Sequence, residues 1–481
     1  MMARKGRIRV GADADITIFD PGRVIDQATY EDGHRPSAGI PYVLVAGTPV
    51  VWAGQVQKEA APGKPLRAPQ DILKTQARDA IDRAARFFRS ISTEGGYLWR
   101  YSLDLETRAG EGAATKTQIW VQPPGAPVVG QALLGAGRID DAAAAAGALV
   151  RGQLQSGGWD YRVEFDPALR KKWNYRLEPS PGGQNISTYD DDNTQAALRF
   201  LMDVYKARPD PQIKAAIDYG LEALLGSQRP NGAWPQRHPA PSTGYYGYHT
   251  FNDDTIADLV RTMQQAWVEF RDPRFRQAVR KAGDFMILAQ RPAPQPAWAQ
   301  QYDLDMKPAW ARRFEPPSVC SGESAGVIRI LMDIYAFTGD EKYLKPIPAA
   351  MEWFRRSQIA PNRWARFYEV ETNRPLYFTR DYKLVYTDDD LPTHYSFQSS
   401  FRVPETMAAY EALEKTRRQG GLEAVRASRR QPARRPGPDR VREVIAALDH
   451  QGRWISNGQI ESRTFIQNLG VLADYVNSPD R

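Results

Sequence analysis

From about residue 71 onward, apolar residues recur at helical spacing along most of the chain. Over 193–206, Leu198, Leu201, Met202 and Tyr205 fall on one stripe. Over 255–270, Ile256, Leu259, Val260, Met263 and Trp267 do the same. Over 324–337, Val327, Leu331 and Ile334 share a line, with Ile328 and Tyr335 beside it. That last run is apolar nearly all round, the pattern of a buried helix. Amphipathic runs near 211–227, 273–289 and 341–357 lie between and after these, and further helices are expected over 72–90, 139–154 and 402–415. The leading carboxylates of the three buried runs, Asp190, Asp253 and Glu323, are 63 and 70 residues apart. Each interval fits a helix out, a helix back and two loops. Such pairs stack laterally and bury a shared core. The expected fold is all-α, an (α/α) toroid of helical hairpins over 71–481, with its site where the inner helices begin.

A second repeat points the same way. Gln153…Gly157-Gly158-Trp159 and Gln228…Asn231-Gly232-Ala233-Trp234 each follow an outer helix, and Thr93-Glu94-Gly95-Gly96-Tyr97 is a looser copy. Glycine lets the chain turn after the helix, and the aromatic plugs back over its end.

Residues 1–60 read differently. Ile8 and Val10, then Ile16 and Ile18, alternate as in strands. Val43 and Val45, a turn around Gly47-Thr48-Pro49, then Val51 and Trp52 read as a hairpin. This small N-terminal β segment is a marginal unit by itself. Residues 61–70 read as a linker.

Composition narrows the choices. About four residues in ten are apolar, enough for a large core. No run approaches the roughly 18 apolar residues of a membrane span. The start, MMARKGRIRV, lacks the apolar stretch of a signal peptide. A single cysteine, Cys320, excludes an internal disulfide framework. The net charge of +7 resides in residues 415–440, an aromatic-free Pro/Arg-rich segment read as a solvated basic insertion. With no recognition helix, zinc or RNA-binding signature, no nucleic-acid partner and no membrane partner are expected.

The candidate chemistry lies in three loops: STYDDDNT (187–194), HTFNDDT (249–255) and PAWARRFEPPSVCSGES (308–324). One acidic residue before a helix is ordinarily an N-cap. Three acidic loops at matching repeat positions, two with adjacent carboxylates, are more than capping needs. Clustered Asp oxygens are what hard cations such as calcium prefer. Arg312 and Arg313 in the third loop either meet an anionic substrate or pair with Glu315 or Glu323. Tyr245, Tyr246, Tyr248, Trp298, Trp310 and Trp364 either stack on sugars or serve the core.

The text STYDDDNTQAALRFL, QRPNGAWPQR, YYGYHTFNDDT, KPAWARRFEPPS, SGESAGVIRILM and RFYEVETNRPLY, in this order over 71–481, resembles polysaccharide lyase family 10, the pectate lyases of the PelA type. The resemblance implies an (α/α) toroid and calcium-dependent cleavage of polygalacturonate by β-elimination. It also implies Arg312 as the base and Asp190, Asp191, Asp253 and nearby Asp254 as calcium ligands. Arg380, Arg366, Arg313, His394 and Trp310 are then expected to bind substrate. The family is expected to be secreted or periplasmic; with no signal peptide at its start, this chain is expected to be cytoplasmic as given or to have a mis-assigned N-terminus, and a monomer is expected. The family's Asp-Asn pair is matched here by Asp190-Asp191, and His394 stands where a further arginine is expected. The stretches KGRIRVGADADITIFDP and PSAGIPYVLVAGTPVV resemble the C-terminal tail of amidohydrolases of the N-acyl-D-amino-acid deacylase type, without that family's barrel or metal-binding histidines.

Two other readings compete. A glycoside hydrolase on the same fold would use a carboxylic acid–base pair, and a triterpene cyclase would need an apolar cavity. A non-catalytic relative would bind acidic glycans without turnover.

Overall fold

The computed structural model describes residues 6, 8–63, 72–429 and 436–478. The chain divides into two compact units, Met1–Asp71 and Ile72–Arg481. In the first, β1 (Ile16–Ile18), β2 (Tyr42–Val45), β3 (Thr48–Trp52) and β4 (Gln55–Val56) form one antiparallel sheet in that order. The β2–β3 turn is the two-residue Ala46–Gly47, both in the left-handed region (φ 47° and 81°). That geometry matches the twist of the flanking strands. It shifts the expected turn by about two residues, so Thr48 and Pro49 belong to β3. Ile8 and Val10 form no strand and stand exposed. None of this unit's described residues is buried, consistent with a marginal core. Residues 64–70 of the expected linker lie outside the described residues.

The second unit is helix-rich. Its helices are α1 (Ile72–Ile91), α2 (Ala126–Gly135), α3 (Ile139–Gly152), α4 (Asn193–Ala207), α5 (Pro211–Ser227), α6 (Thr255–Phe270), α7 (Pro273–Ala289), α8 (Ser321–Thr338), α9 (Ile347–Arg356), α10 (Val403–Arg429), α11 (Pro438–Ala446) and α12 (Ser462–Asn477). The three buried runs are α4, α6 and α8, close to their expected bounds. The run at 341–357 is broken into a 3-10 turn (Glu341–Leu344) and α9, because Pro346 supplies no N–H where one helix would need it. The basic segment is not wholly a solvated insertion: 415–429 continue α10 across a kink at Gly420–Gly421, α11 begins at Pro438, and 430–435 lie outside the described residues. Arg417 and Arg426 there pair with Glu414 and Glu423 one turn back, and Arg426 also reaches the Ala336 carbonyl of α8.

Neighbouring helices pack in a regular order. α12 packs on α2, α2 on α4, α4 on α6, α6 on α8 and α8 on α10. α3 meets α5, α5 meets α7, and both α11 and α12 pack on α1, so the last helices lie against the first.

The aromatic plug recurs more often than the sequence reading found. Trp159, Trp234, Trp298, Trp364 and Trp454 each donate their indole N–H to a carbonyl ten to twelve residues back, at 2.7–2.9 Å. The acceptors are Leu149, Leu224, Met286, Phe354 and Val444, near the ends of α3, α5, α7, α9 and α11. Tyr97 holds the corresponding place after α1, fully buried against Phe88. Such a bond satisfies one of the orphan carbonyls of a helix end. Gln153 ties successive units together, its Nε2 donating to Gly157 O and to Ala216 O of α5, both at 2.8 Å. Gln228 and Gln290 repeat the same double bond toward α7 and Pro346. At Gly157 (φ 98°) a Cβ would come within 2.2 Å of Ala223 Cβ on α5. At Gly452 (φ 84°) it would come within 2.5 Å of Arg83 O on α1. Glycine is therefore needed for backbone conformation and for close approach of the next helix.

Candidate active site

The starts of α4 and α6 are built alike. Ser187–Thr188 pairs antiparallel with Arg237–His238, and His249–Thr250 pairs with Gln301–Tyr302. Tyr189 N–H then donates to Gln236 O (2.9 Å) and Phe251 N–H to Gln300 O (2.8 Å). Asp190 N–H donates to Thr188 Oγ1 and Asn252 N–H to Thr250 Oγ1. A 3-10 turn follows in each, Asp190–Asp192 and Asn252–Asp254. The structural repeat thus pairs Asp190 with Asn252 and Asp191 with Asp253, one residue off the register assumed from the leading carboxylates.

Asp191, Asp192, Asp253 and Asp254 all have positive φ (50°, 58°, 46° and 55°). Two consecutive left-handed residues with side chains cost about 1–2 kcal/mol each, somewhat less for Asp. Asp192 and Asp254 occupy the N-cap positions of α4 and α6, yet neither side chain accepts a capping hydrogen bond. The capping explanation of these acids therefore fails on geometry.

The turns instead bring Asp190, Asp191 and Asp253 together, with one carboxylate oxygen of each within 4.8 Å of the others. Asp190 Oδ2 accepts from Tyr161 Oη at 3.0 Å, while its Oδ1 is buried with no partner. Asp191 Oδ2 accepts from Gln122 Nε2 at 2.9 Å. Asp253 Oδ2 accepts from Asn252 Nδ2 at 2.6 Å. Burial and then the neighbouring Asp190 push the Asp191 carboxyl up to about 7 and the Asp253 carboxyl up to about 6. Three acids share one place, and Asp191 and Asp253 resist ionising there. Asp254 is not brought into this group: its Oδ1 faces α8, 3.1 Å from where a Cβ on Gly326 would be. Asp192 is held in a two-pronged pair with Arg199 (2.8 and 2.6 Å).

The third loop faces this cluster with arginine. Arg312 donates to the buried Glu315 through Nε (2.8 Å), Nη2 (2.5 Å) and its backbone N–H (3.1 Å). Tyr395 Oη also donates to Glu315, at 3.0 Å. The hydrogen bond to Glu315 raises the Arg312 guanidinium further above its ordinary value. This is the carboxylate pairing weighed from the sequence, and it holds Arg312 in its charged form. Arg312 and Asp253 nevertheless lie within electrostatic reach of one another.

Around Arg312 an aromatic wall collects other expected residues. Arg366 stacks over Tyr395 at 4.5 Å, donates to Ser396 O, and lies 3.8 Å from the buried Glu323. Arg313 lies 3.6 Å over the Tyr382 ring. His394 sits between Phe314 and Tyr382, with Nε2 3.3 Å from Tyr382 Oη. Trp310, half exposed, meets Phe378 edge-on. Arg380 lies in an exposed turn and is paired with Asp390 at 3.3 Å. Cys320 is buried at the start of α8 and carries no chemistry here.

Sequence reasoning missed Gln122 and Tyr161, which hold the acidic cluster. Tyr161 had a signal, standing two residues after the Trp159 plug, where Gln236 stands after Trp234. Gln122 had none, since it comes from a distant loop.

Among relatives of known sequence, a 71-residue stretch is 41% identical to an N-acyl-D-glutamate deacylase from Alcaligenes xylosoxydans xylosoxydans; it covers 15% of this chain and only 14% of that protein. Among solved structures, two chains of a family 10 polysaccharide lyase from Cellvibrio cellulosa are similar. One, a variant in complex with trigalacturonic acid, is 22% identical over 60% of this chain and 98% of its own (TM-score 0.47). The other is 24% identical over 57% and 91% (TM-score 0.45). A family 76 α-mannanase from Bacteroides thetaiotaomicron is 10% identical over 84% and 95% (TM-score 0.41). Among the described residues no helix is long and apolar enough to cross a membrane. Residues 153–363, which contain both acidic turns and the Arg312 loop, match the family model of pectic acid lyases, a match that supports a lyase enzyme.

Proposed function

We propose that this chain is a calcium-dependent lyase that cleaves polygalacturonate by β-elimination, releasing 4,5-unsaturated oligogalacturonides. The observation that carries this reading is the convergence of Asp190, Asp191 and Asp253 opposite Arg312 within the span that matches pectic acid lyases. The unit Ile72–Arg481 is read as a closed (α/α) toroid. The packing of α11 and α12 back on α1, and the six plugs after successive outer helices, support closure.

The residues present fit a calcium ion. Carboxylate oxygens are its preferred ligands, Asp190 Oδ1 is buried without a partner, and among the described residues no cation is in direct contact with Asp191 or Asp253. Asp190, Asp191 and Asp253 would hold it, and Asp254 is left outside that set. Bound calcium would draw charge from the C6 carboxylate of a galacturonate unit and so acidify the proton on C5.

The protein's own groups do the rest. Arg312 takes the C5 proton, the C4–C5 double bond forms, and the C4–O bond breaks with the electron pair leaving on the glycosidic oxygen. Nη1 is the terminal nitrogen that Glu315 does not engage, and we assign it to that transfer. Only a neutral guanidine can act so, and Glu315 opposes neutrality, so activity rises toward alkaline pH. Arg366, Arg313, Arg380, His394 and Trp310 are assigned to substrate binding. Arg380 must exchange Asp390 for a uronate. The protein acts outside the cell, as a monomer, where its polymeric substrate is found.

Ultraviolet absorbance of the unsaturated product during incubation with polygalacturonate tests the reading. A rise that Arg312→Ala abolishes supports it. Saturated reducing ends without absorbance would instead indicate a hydrolase. The Arg312–Glu315 pair favours one other reading, a relative that binds acidic glycans without turnover, which predicts affinity and no product.

A further inference from the structure

Arg237 stands beside the acidic cluster with no role in the account above. Its strand lies opposite Ser187–Thr188, with Arg237 across from Thr188. Directly opposed residues share one face of a strand pair. Thr188 Oγ1 on that face accepts the Asp190 backbone N–H, so Arg237 is on the Asp190 side. The backbone is fixed on both flanks: Gln236 N–H donates to Tyr246 O, and Gln236 O accepts from Tyr189 N–H.

The guanidinium lies 3.6 Å from the centre of the Tyr246 ring, and that ring lies 4.1 Å from Tyr245. Tyr245 is within electrostatic reach of Arg312 and Glu315. A continuous rim, Arg237–Tyr246–Tyr245, therefore runs from the acidic cluster toward the Arg312 loop. Arg312, Arg366 and Arg380 each have an acidic neighbour within 4.0 Å. Among the described residues Arg237 has none. It is only part-buried, so its N–H groups remain reachable. Stacking occupies the face of a guanidinium and leaves its edge, where all five N–H donors lie, free to meet a carboxylate in plane. An arginine fixed by its face, with an unused edge, next to a cluster that repels anions, is suited to gripping an acidic ligand.

We infer that Arg237, held by Tyr246, is a carboxylate-binding subsite for a second galacturonate unit, next along the chain from the one at Asp190, Asp191 and Asp253. It favours de-esterified over methyl-esterified units, because an ester lacks the charge and the paired oxygens that the arginine edge matches. This rests on the reading of the protein as a polygalacturonate lyase.

The test is titration calorimetry of the full chain with trigalacturonate in calcium, alongside the methyl-esterified trisaccharide. Arg237→Gln should weaken the acid ligand about tenfold or more and leave the ester little changed, so preference between them collapses. Arg237→Lys should fall between. Tyr246→Ala should weaken the acid ligand too, although Arg237 is intact. On polymer, KM should rise for Arg237→Gln while kcat holds. Equal losses for acid and ester, or no loss, would overturn the subsite. If the wild type cleaves polygalacturonate while Arg237→Gln binds the acid ligand unchanged, the subsite alone fails. If the wild type neither binds nor cleaves any oligogalacturonate, the lyase reading and the subsite fall together.

Discussion

Two sets of aspartates stand at helix starts in this protein and do opposite things. Asp210, Asp272 and Asp340 precede α5, α7 and the 3-10 turn before α9. Each has extended backbone and accepts a backbone N–H of the first turn. The carboxylate there satisfies an orphan donor and suits the helix dipole. Asp190 to Asp192 and Asp253–Asp254 precede α4 and α6, cap nothing, take left-handed backbone at four positions, and crowd three carboxylates into one place. The first set stabilises the fold. The second is costly to it, and that cost is consistent with a site shaped for a ligand. The same residue type, in nearly the same sequence context, is structural in one place and costly in the other.

The sharpest way to break this comparison is to neutralise each set. Asp253→Asn should lower turnover on polygalacturonate by about 10²–10³-fold, as for loss of one electrostatic stabiliser. It should also raise the metal-free melting temperature, because like charge is removed. A fall in that temperature would put Asp253 among the capping residues instead. Glu315→Gln comes next. It removes the anion that keeps Arg312 protonated, so the alkaline rise in kcat/KM should move to lower pH by about one unit or more. A rate loss with no shift would make Glu315 a packing residue.

The pH dependence of stability has a definite sign. Asp191 and Asp253 hold protons more tightly folded than unfolded, at about 7 and about 6 against an ordinary 3.8. Their contribution is therefore fully present below about pH 4 and is lost as pH rises through 6 to 7. Calcium would bind the deprotonated carboxylates, so the stabilisation it gives should grow over the same interval. At a hundredfold excess over Kd it would reach about 2.7 kcal/mol. Thermal melts with calcium and with chelator should diverge at pH 8 and nearly coincide at pH 5. The smallest effect belongs to the caps: Asp210→Ala should cost about 1 kcal/mol and leave turnover and calcium response unchanged.

Much of this was legible in the chain. Period-3.6 stripes gave α4 to α8 within a few residues, because buried faces leave a strong pattern. The basic stretch at 415–429 misled because arginines mask a helix whose support is partly ionic, through Glu414 and Glu423. Ile8 and Val10 alternate like a strand but have no partner strand among the described residues, and alternation alone cannot supply one. Three of the six plugs were visible as Gln…Gly…Trp or its looser form. Trp298, Trp364 and Trp454 were hidden because Pro296 or Asn362 replaces the turn glycine, or the preceding glutamine is absent. In the site, acidic loops and arginines were readable as motifs. The register that pairs Asp191 with Asp253, the turning away of Asp254 and the grip of Glu315 on Arg312 depend on backbone conformation and on contacts across loops, which the sequence does not spell out.

The central claim is that Asp190, Asp191 and Asp253 form a cation site, and direct calcium titration by calorimetry tests it most simply. The account predicts a binding isotherm for the wild type and for Asp210→Ala, and its loss in both Asp191→Asn and Asp253→Asn. Equal binding by all four proteins, or none by the folded wild type at pH 8, would contradict it.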